Sequence, residues 1–282
     1  MIELAIGAII AALVFDFLNG FHDAANSIAT VVGTRVLRPL QAVALAAIGN
    51  FIGPFLFGVA VATTIGKGII DPNFVTLNII IGALVGAIIW DIITWLMGLP
   101  TSSSHALIGG IIGAGIAGAG TQAIIFGGLQ KVVTGIVISP VVGLVVAFSV
   151  ATLLITAFAK RRPSAVNSVF GRLQIISSTY FSLTHGANDG QKTMEVRITQ
   201  LKPYQGFAAE TGGATILAIL AWLGIPASTT HAISGAIMGA GAVKRVSAVR
   251  WGIGRRIVWA WIITIPASAA VAYASTLIIK AI

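Results

Sequence analysis

Apolar runs of bilayer length, separated by short charged bursts, set the limits on this chain. They fall near 4–33, 41–66, 77–98, 132–159, 206–224 and 257–279, and a helix crosses a membrane in about 20 residues. Backbone in hydrocarbon must satisfy its own N–H and C=O groups, so runs of this kind become helices packed in a bundle. The composition agrees: 9% of the 282 residues are charged, against roughly 25% in a soluble domain. With a mean hydropathy of +0.99, the chain has too few charges to cover a water-facing surface. The expected fold class is all-α, a polytopic transmembrane helical bundle. The first 20 residues carry Glu3 and no basic leader, and read as a first span, not a removed signal.

A formal charge of +9 would suit a nucleic-acid partner, but the positions of the charges exclude one. They sit between apolar runs: Arg35 and Arg38, Lys160 to Arg162, Lys244 and Arg245, then Arg250, Arg255 and Arg256. Basic loops of this sort stay on the cytoplasmic side, and no basic face with interleaved aromatics is present. Cysteine is absent, which removes disulfide frameworks and thiolate metal sites.

Two shorter apolar pieces, 106–119 and 232–242, each follow a polar tip: PTSSSH from Pro100 to His105, and PASTTH from Pro226 to His231. At 1.5 Å per residue such pieces reach only about 21 and 17 Å, less than the ~30 Å hydrocarbon core. They are expected to be re-entrant or discontinuous half-helices lining a protein cavity. The tips are 126 residues apart, and the same offset pairs Gly98 with Gly224 and Pro140 with Pro266. This is an internal duplication, with a first repeat at 1–160 and a second at 161–282.

A second motif pair, NGFHDAANS from Asn19 and THGANDGQK from Thr184, is offset by 166 and matches Asp23 to Asp189. The change of offset leaves the second repeat short by about 40 residues, enough for one span and its loop. The sequence therefore predicts a short cytoplasmic connection at 191–205 where a crossing would otherwise lie.

Asp16, His22, Asp23, Asn26, Asp91, His105, Asn188, Asp189, Glu210 and His231 lie in or beside apolar runs. An Asp at mid-membrane costs roughly 2.5–3.5 kcal/mol, so each is expected to face a cavity, a partner or an ion. The bland alternative is an interhelical hydrogen bond, and for Glu210 an interfacial position is equally open. Ser102, Ser103 and Ser104, with Ser228, Thr229 and Thr230, sit between a proline and a short helix. Unpaired N–H groups and the positive helix end converge there, which suits an oxyanion. Ordinary N-capping is the competing account. Asp23 and Asp189, with Asn26 and Asn188, would hold a cation or proton beside the anion, and two carboxylates near an anion need that cation. The expectation is a symporter of a tetrahedral oxyanion.

These tips and motifs, with GANDGQKT, ETGGA at 210–214 and IPASTTHAISGAIMGAG, resemble the inorganic phosphate transporter (PiT) family over nearly the whole chain. The resemblance implies two inverted repeats, a central site between them and cation-coupled phosphate uptake. It implies phosphate binding at Ser102, Ser103, Ser104, Ser228, Thr229 and Thr230. It places the coupling ion at His22, Asp23, Asn26, Asn188 and Asp189, with Na+ held by Asp23, Asn26, Asn188 and Asp189. His22 stands where the family often has Asn, and Lys192 stands opposite Asn26, which leaves H+ open beside Na+. The implied partners are inorganic phosphate and the lipid bilayer of a prokaryotic inner (plasma) membrane, with a homodimer left open, no nucleic acid, and no cofactor beyond the coupling ion. Sulfate carriage, a transport-incompetent shortened homologue and an intramembrane hydrolase are the alternatives. The hydrolase is disfavoured because a serine beside its base at a helix start is poor triad geometry.

Overall fold

The computed structural model describes residues 2–23, 26–57, 60–99, 101–188, 201–243 and 245–281. The described residues form eleven α-helices: α1 Ile2–Asp23, α2 Asn26–Gly33, α3 Pro39–Phe57, α4 Ala60–Gly68, α5 Leu77–Leu96, α6 Ser103–Ala119, α7 Phe126–Ala157, α8 Pro163–Asn188, α9 Pro203–Trp222, α10 Thr229–Ala242 and α11 Trp251–Ala281. The protein is an all-α, polytopic bundle, and five of these helices are long and apolar enough to cross a membrane.

Helix ends depart from the apolar runs. Within the run at 4–33 the described residues form α1 and α2, and within that at 41–66 they form α3 and α4. Helices α7 and α11 each begin about a turn and a half before their apolar cores, at Phe126 and Trp251. Hydropathy marks only what can lie in hydrocarbon, whereas backbone hydrogen bonding carries a helix beyond it.

Two groups of three helices pack in the same way. Helices α5, α6 and α11 form one mutually packed group, and α9, α10 and α7 form the other. Helix α7 thus packs on α9 and α10, and α11 on α5 and α6. Small residues make these crossings close. A Cβ on Gly109 or Gly113 of α6 would lie 2.5 Å from the Ile265 carbonyl oxygen or 2.0 Å from that of Ala269 in α11. In the matching crossing, Gly235 and Gly239 of α10 stand equally close to the Pro140 and Leu144 carbonyls of α7, each at 2.1 Å.

Around these groups, α1 leans mainly on α5, while α3 and α2 pack against α8, and α8 against α9. On α1, Ile6, Ile9, Ile10, Leu13 and Phe17 are exposed, which suits a lipid-facing helix. Helix α8 has the reverse pattern. Gln174, Ser177, Ser178, Phe181, Ser182 and His185 recur at helical spacing and are buried, whereas Val169 and Ile176 are exposed. Polar groups in a membrane helix are stabilised only where protein supplies partners, so this stripe faces inward.

Between the motif helices and the duplicated groups, the first half holds 24–76, with α2, α3 and α4, and the second half only 189–202. That interval is too short for counterparts of all three. The expected cytoplasmic connection at 191–205 falls largely outside the described residues.

Candidate functional site

Helices α5 and α9 end in the same manner. Gly98 and Gly224 adopt left-handed φ of 61° and 63°, a conformation that a Cβ disfavours. Leu99 N–H bonds back to the Thr94 carbonyl, and Ile225 N–H to that of Leu220. Both are αL helix terminations, and both turn the chain inward. Thr101 to His105 and Ala227 to His231 are buried throughout.

The hydroxyls lie where a short helix begins. Ser102 is the N-cap of α6, with Ser103 and Ser104 in its first turn, and Ser228 is the N-cap of α10, followed by Thr229 and Thr230. The first intrahelical bonds are Ala106 N–H to Ser102 and Ala232 N–H to Ser228. Earlier N–H groups thus have no helical carbonyl to reach. With 17 and 14 residues, α6 and α10 span about 25 and 21 Å, short of the hydrocarbon core.

The tips meet. The rings of His105 and His231 stack with centroids 4.5 Å apart. His231 also stacks on Trp261 of α11 at 3.6 Å. Two helix N-termini, each a partial positive charge, therefore converge on one buried volume. Ser102 Oγ and Thr229 Oγ1 are buried there with no hydrogen-bond partner among the described residues. Orphaned buried polar groups are rare and need an explanation; two hydroxyl donors at paired helix starts fit an anion.

Helix α2 enters the same volume. Asn26 is buried and its Nδ2 donates to Thr230 Oγ1 at 3.3 Å. Asn26 Oδ1 and Ser27 Oγ have no partner among the described residues, and a free amide oxygen suits a cation. The structure thus joins Asn26 to the second tip. The side chains of His22, Asp23 and Asn188, and Asp189 as a whole, lie outside the described residues.

Glu210 is buried, 1% exposed. Thr30 Oγ1 donates to its Oε1 at 2.5 Å, Gln174 Nε2 donates to the same oxygen at 3.1 Å, and Ser177 Oγ donates to Oε2. Thr34 Oγ1 extends the network by donating to Gln174 Oε1 at 2.9 Å. Sequence reasoning did not single out Thr30, Gln174 or Ser177. The signal was present as the polar stripe on α8, spaced for one helical face. Asp91 is also buried, whereas Asp16 is exposed on α1.

A bundle of apolar helices enclosing two facing half-helix starts, with a buried polar network beside them, defines a multi-pass membrane carrier of a small anion. The chain belongs to the PHO4 phosphate transporter family, whose profile matches residues 19–197 and 192–272. A probable low-affinity inorganic phosphate transporter of Rhizobium meliloti is 48% identical over 312 aligned positions, which take in 94% of this chain and 93% of the relative. One of Bacillus subtilis is 36% identical, covering 97% of each. The solved structure described as "The sodium-dependent phosphate transporter" superposes with a TM-score of 0.86 at 25% identity, over 100% of both chains. Such relatives are carriers, not enzymes, so the hydrolase reading falls. The profile's two stretches meet at 192–197, within the interval where the second half is short.

Proposed function

We propose that this protein takes up inorganic phosphate by cation-coupled symport, binding it between the two half-helix tips. Phosphate would be held by Ser102, Ser103, Ser104, Ser228, Thr229 and Thr230 together with the N–H groups of the two first turns. The observation that carries this reading is the convergence of two buried helix starts whose Ser102 and Thr229 hydroxyls have no protein partner among the described residues. Paired dipole ends and hydroxyl donors attract an anion without a fixed cationic side chain, so release needs no strong ion pair to break.

Coupling follows from the acids. Asp23 and Asp189, with His22, Asn26 and Asn188, would hold the co-transported cation beside phosphate. At effective dielectric constants near 20, like charges about 4 Å apart repel by about 4 kcal/mol. Anion and carboxylates therefore occupy the site together only when Na+ or H+ comes with them. The relatives' bacterial origin supports a plasma-membrane location. The sodium dependence of the solved neighbour supports Na+, while His22 and Lys192, in place of oxygen ligands, support H+. Uptake of labelled phosphate into proteoliposomes, with Na+ and pH gradients imposed separately and sulfate as competitor, decides among these. Accumulation under one gradient identifies the ion. No accumulation under either gradient overturns the proposal.

A further inference from the structure

Away from the central site, a crevice of about 190 Å³ opens where the turn between α7 and α8 meets the start of α9. Among the described residues its polar lining is Arg161, Asn167, Lys202 and Tyr204, none of them acidic. Leu154, Ile155, Phe158 and Val166 form its apolar wall. Helix α8 starts at Pro163, which lines the crevice, and α9 starts at Pro203 with Lys202 as its N-cap. Two positive helix ends are thus added to two cationic side chains.

Tyr204 supplies an independent observation. The residue is 7% exposed, and its phenol oxygen is buried with no hydrogen-bond partner among the described residues. A buried hydroxyl without a partner costs about 1–3 kcal/mol, which a bound acceptor would offset. Neither motif pair nor the central site uses any of these side chains.

We infer that this crevice binds a phosphate group, carried by an anionic phospholipid whose glycerol and upper acyl carbons lie along the Leu154–Phe158 wall. Arg161 gives a planar fork for phosphate oxygens and Lys202 a compact charge. The apolar wall and the basic turn at Lys160 to Arg162 fit a headgroup at the membrane surface better than a free ion. The site touches the 158–162 turn that joins the two repeats, so occupancy would tie α7, α8 and α9 together at one end of the bundle.

The test uses the purified full chain, titrated with phosphatidylglycerol or phosphatidylcholine in detergent and followed by native mass spectrometry, with and without inorganic phosphate. The variants are the double substitution Arg161→Gln, Lys202→Gln and the conservative Tyr204→Phe. Arg255→Gln, Arg256→Gln removes equal charge elsewhere as a control. Wild type and control should retain one phosphatidylglycerol, and the double variant should hold it about tenfold more weakly, as expected for losing charge-assisted hydrogen bonds. Tyr204→Phe should show a smaller loss with unchanged folding. Retention insensitive to added phosphate supports the lipid source. Retention of inorganic phosphate in place of lipid, lost in the double variant, assigns the same chemistry to the free ion. Equal phosphatidylglycerol and phosphate retention by wild type and double variant overturns the inference.

Discussion

At the first tip Ser102 caps α6 by position only, without a side-chain cap bond. At the second, Ser228 Oγ accepts from His231 N–H at 3.2 Å. The first tip is braced within its own repeat, where Thr101 Oγ1 donates to Thr94 Oγ1 at 2.9 Å and Thr94 Oγ1 donates to the Trp90 carbonyl at 3.0 Å. The counterparts of Thr101 and Thr94 are Ala227 and Leu220, so the second tip has no such ladder. It is tied instead to α2 through Asn26 and Thr230. The two tips share a backbone, with its glycine termination and helix start, while the side chains that steady each tip differ. That divergence follows the shortfall: Lys192 stands opposite Asn26, and 189–202 cannot house a copy of α2, α3 and α4.

The largest effect is expected at the motif acids. Asp23→Asn and Asp189→Asn should each abolish uphill phosphate accumulation in proteoliposomes, because an amide cannot balance a cation's charge. Normal accumulation by both would make these carboxylates structural. One dead and one active variant would show that the halves have parted in function as well as in bracing.

Next in size are the helix crossings. Gly109→Ala and Gly235→Ala each place a Cβ against a facing carbonyl, at 2.5 and 2.1 Å, and overpacking of this kind costs about 1–3 kcal/mol. Thermal unfolding in detergent should show similar losses for both, since the two crossings match. A loss confined to one would show that the packing symmetry is not energetic symmetry.

The caps give a smaller, opposed pair. Ser228→Ala removes a cap bond and should cost about 1 kcal/mol. Ser102→Ala removes a hydroxyl that caps nothing, so the unfolding temperature should hold while the KM for phosphate rises about tenfold, as for a lost hydrogen bond to a charged group. A stability loss at Ser102 equal to that at Ser228 would favour capping at both tips. The smallest effect is expected at Thr101→Val, where the lost hydroxyl pair is worth roughly 0.5–1.5 kcal/mol and phosphate transport should persist.

The all-helical membrane class and the location of the tips were legible in the residue order, because each rests on local physics. Twenty apolar residues can only be a spanning helix in lipid, and Gly-x-Pro followed by hydroxyls marks a helix end and a new start. The residue order also measured the shortfall, since an offset needs no structure. Tertiary structure decided which polar groups meet. Nothing near Glu210 announces Thr30, 180 positions away, or Gln174, 36 away. Nor does the sequence say that His105 and His231 stack, or that α7 and α11 exchange between the halves. Burial of a charge is settled by the partners that surround it, and those are brought together only when the bundle closes.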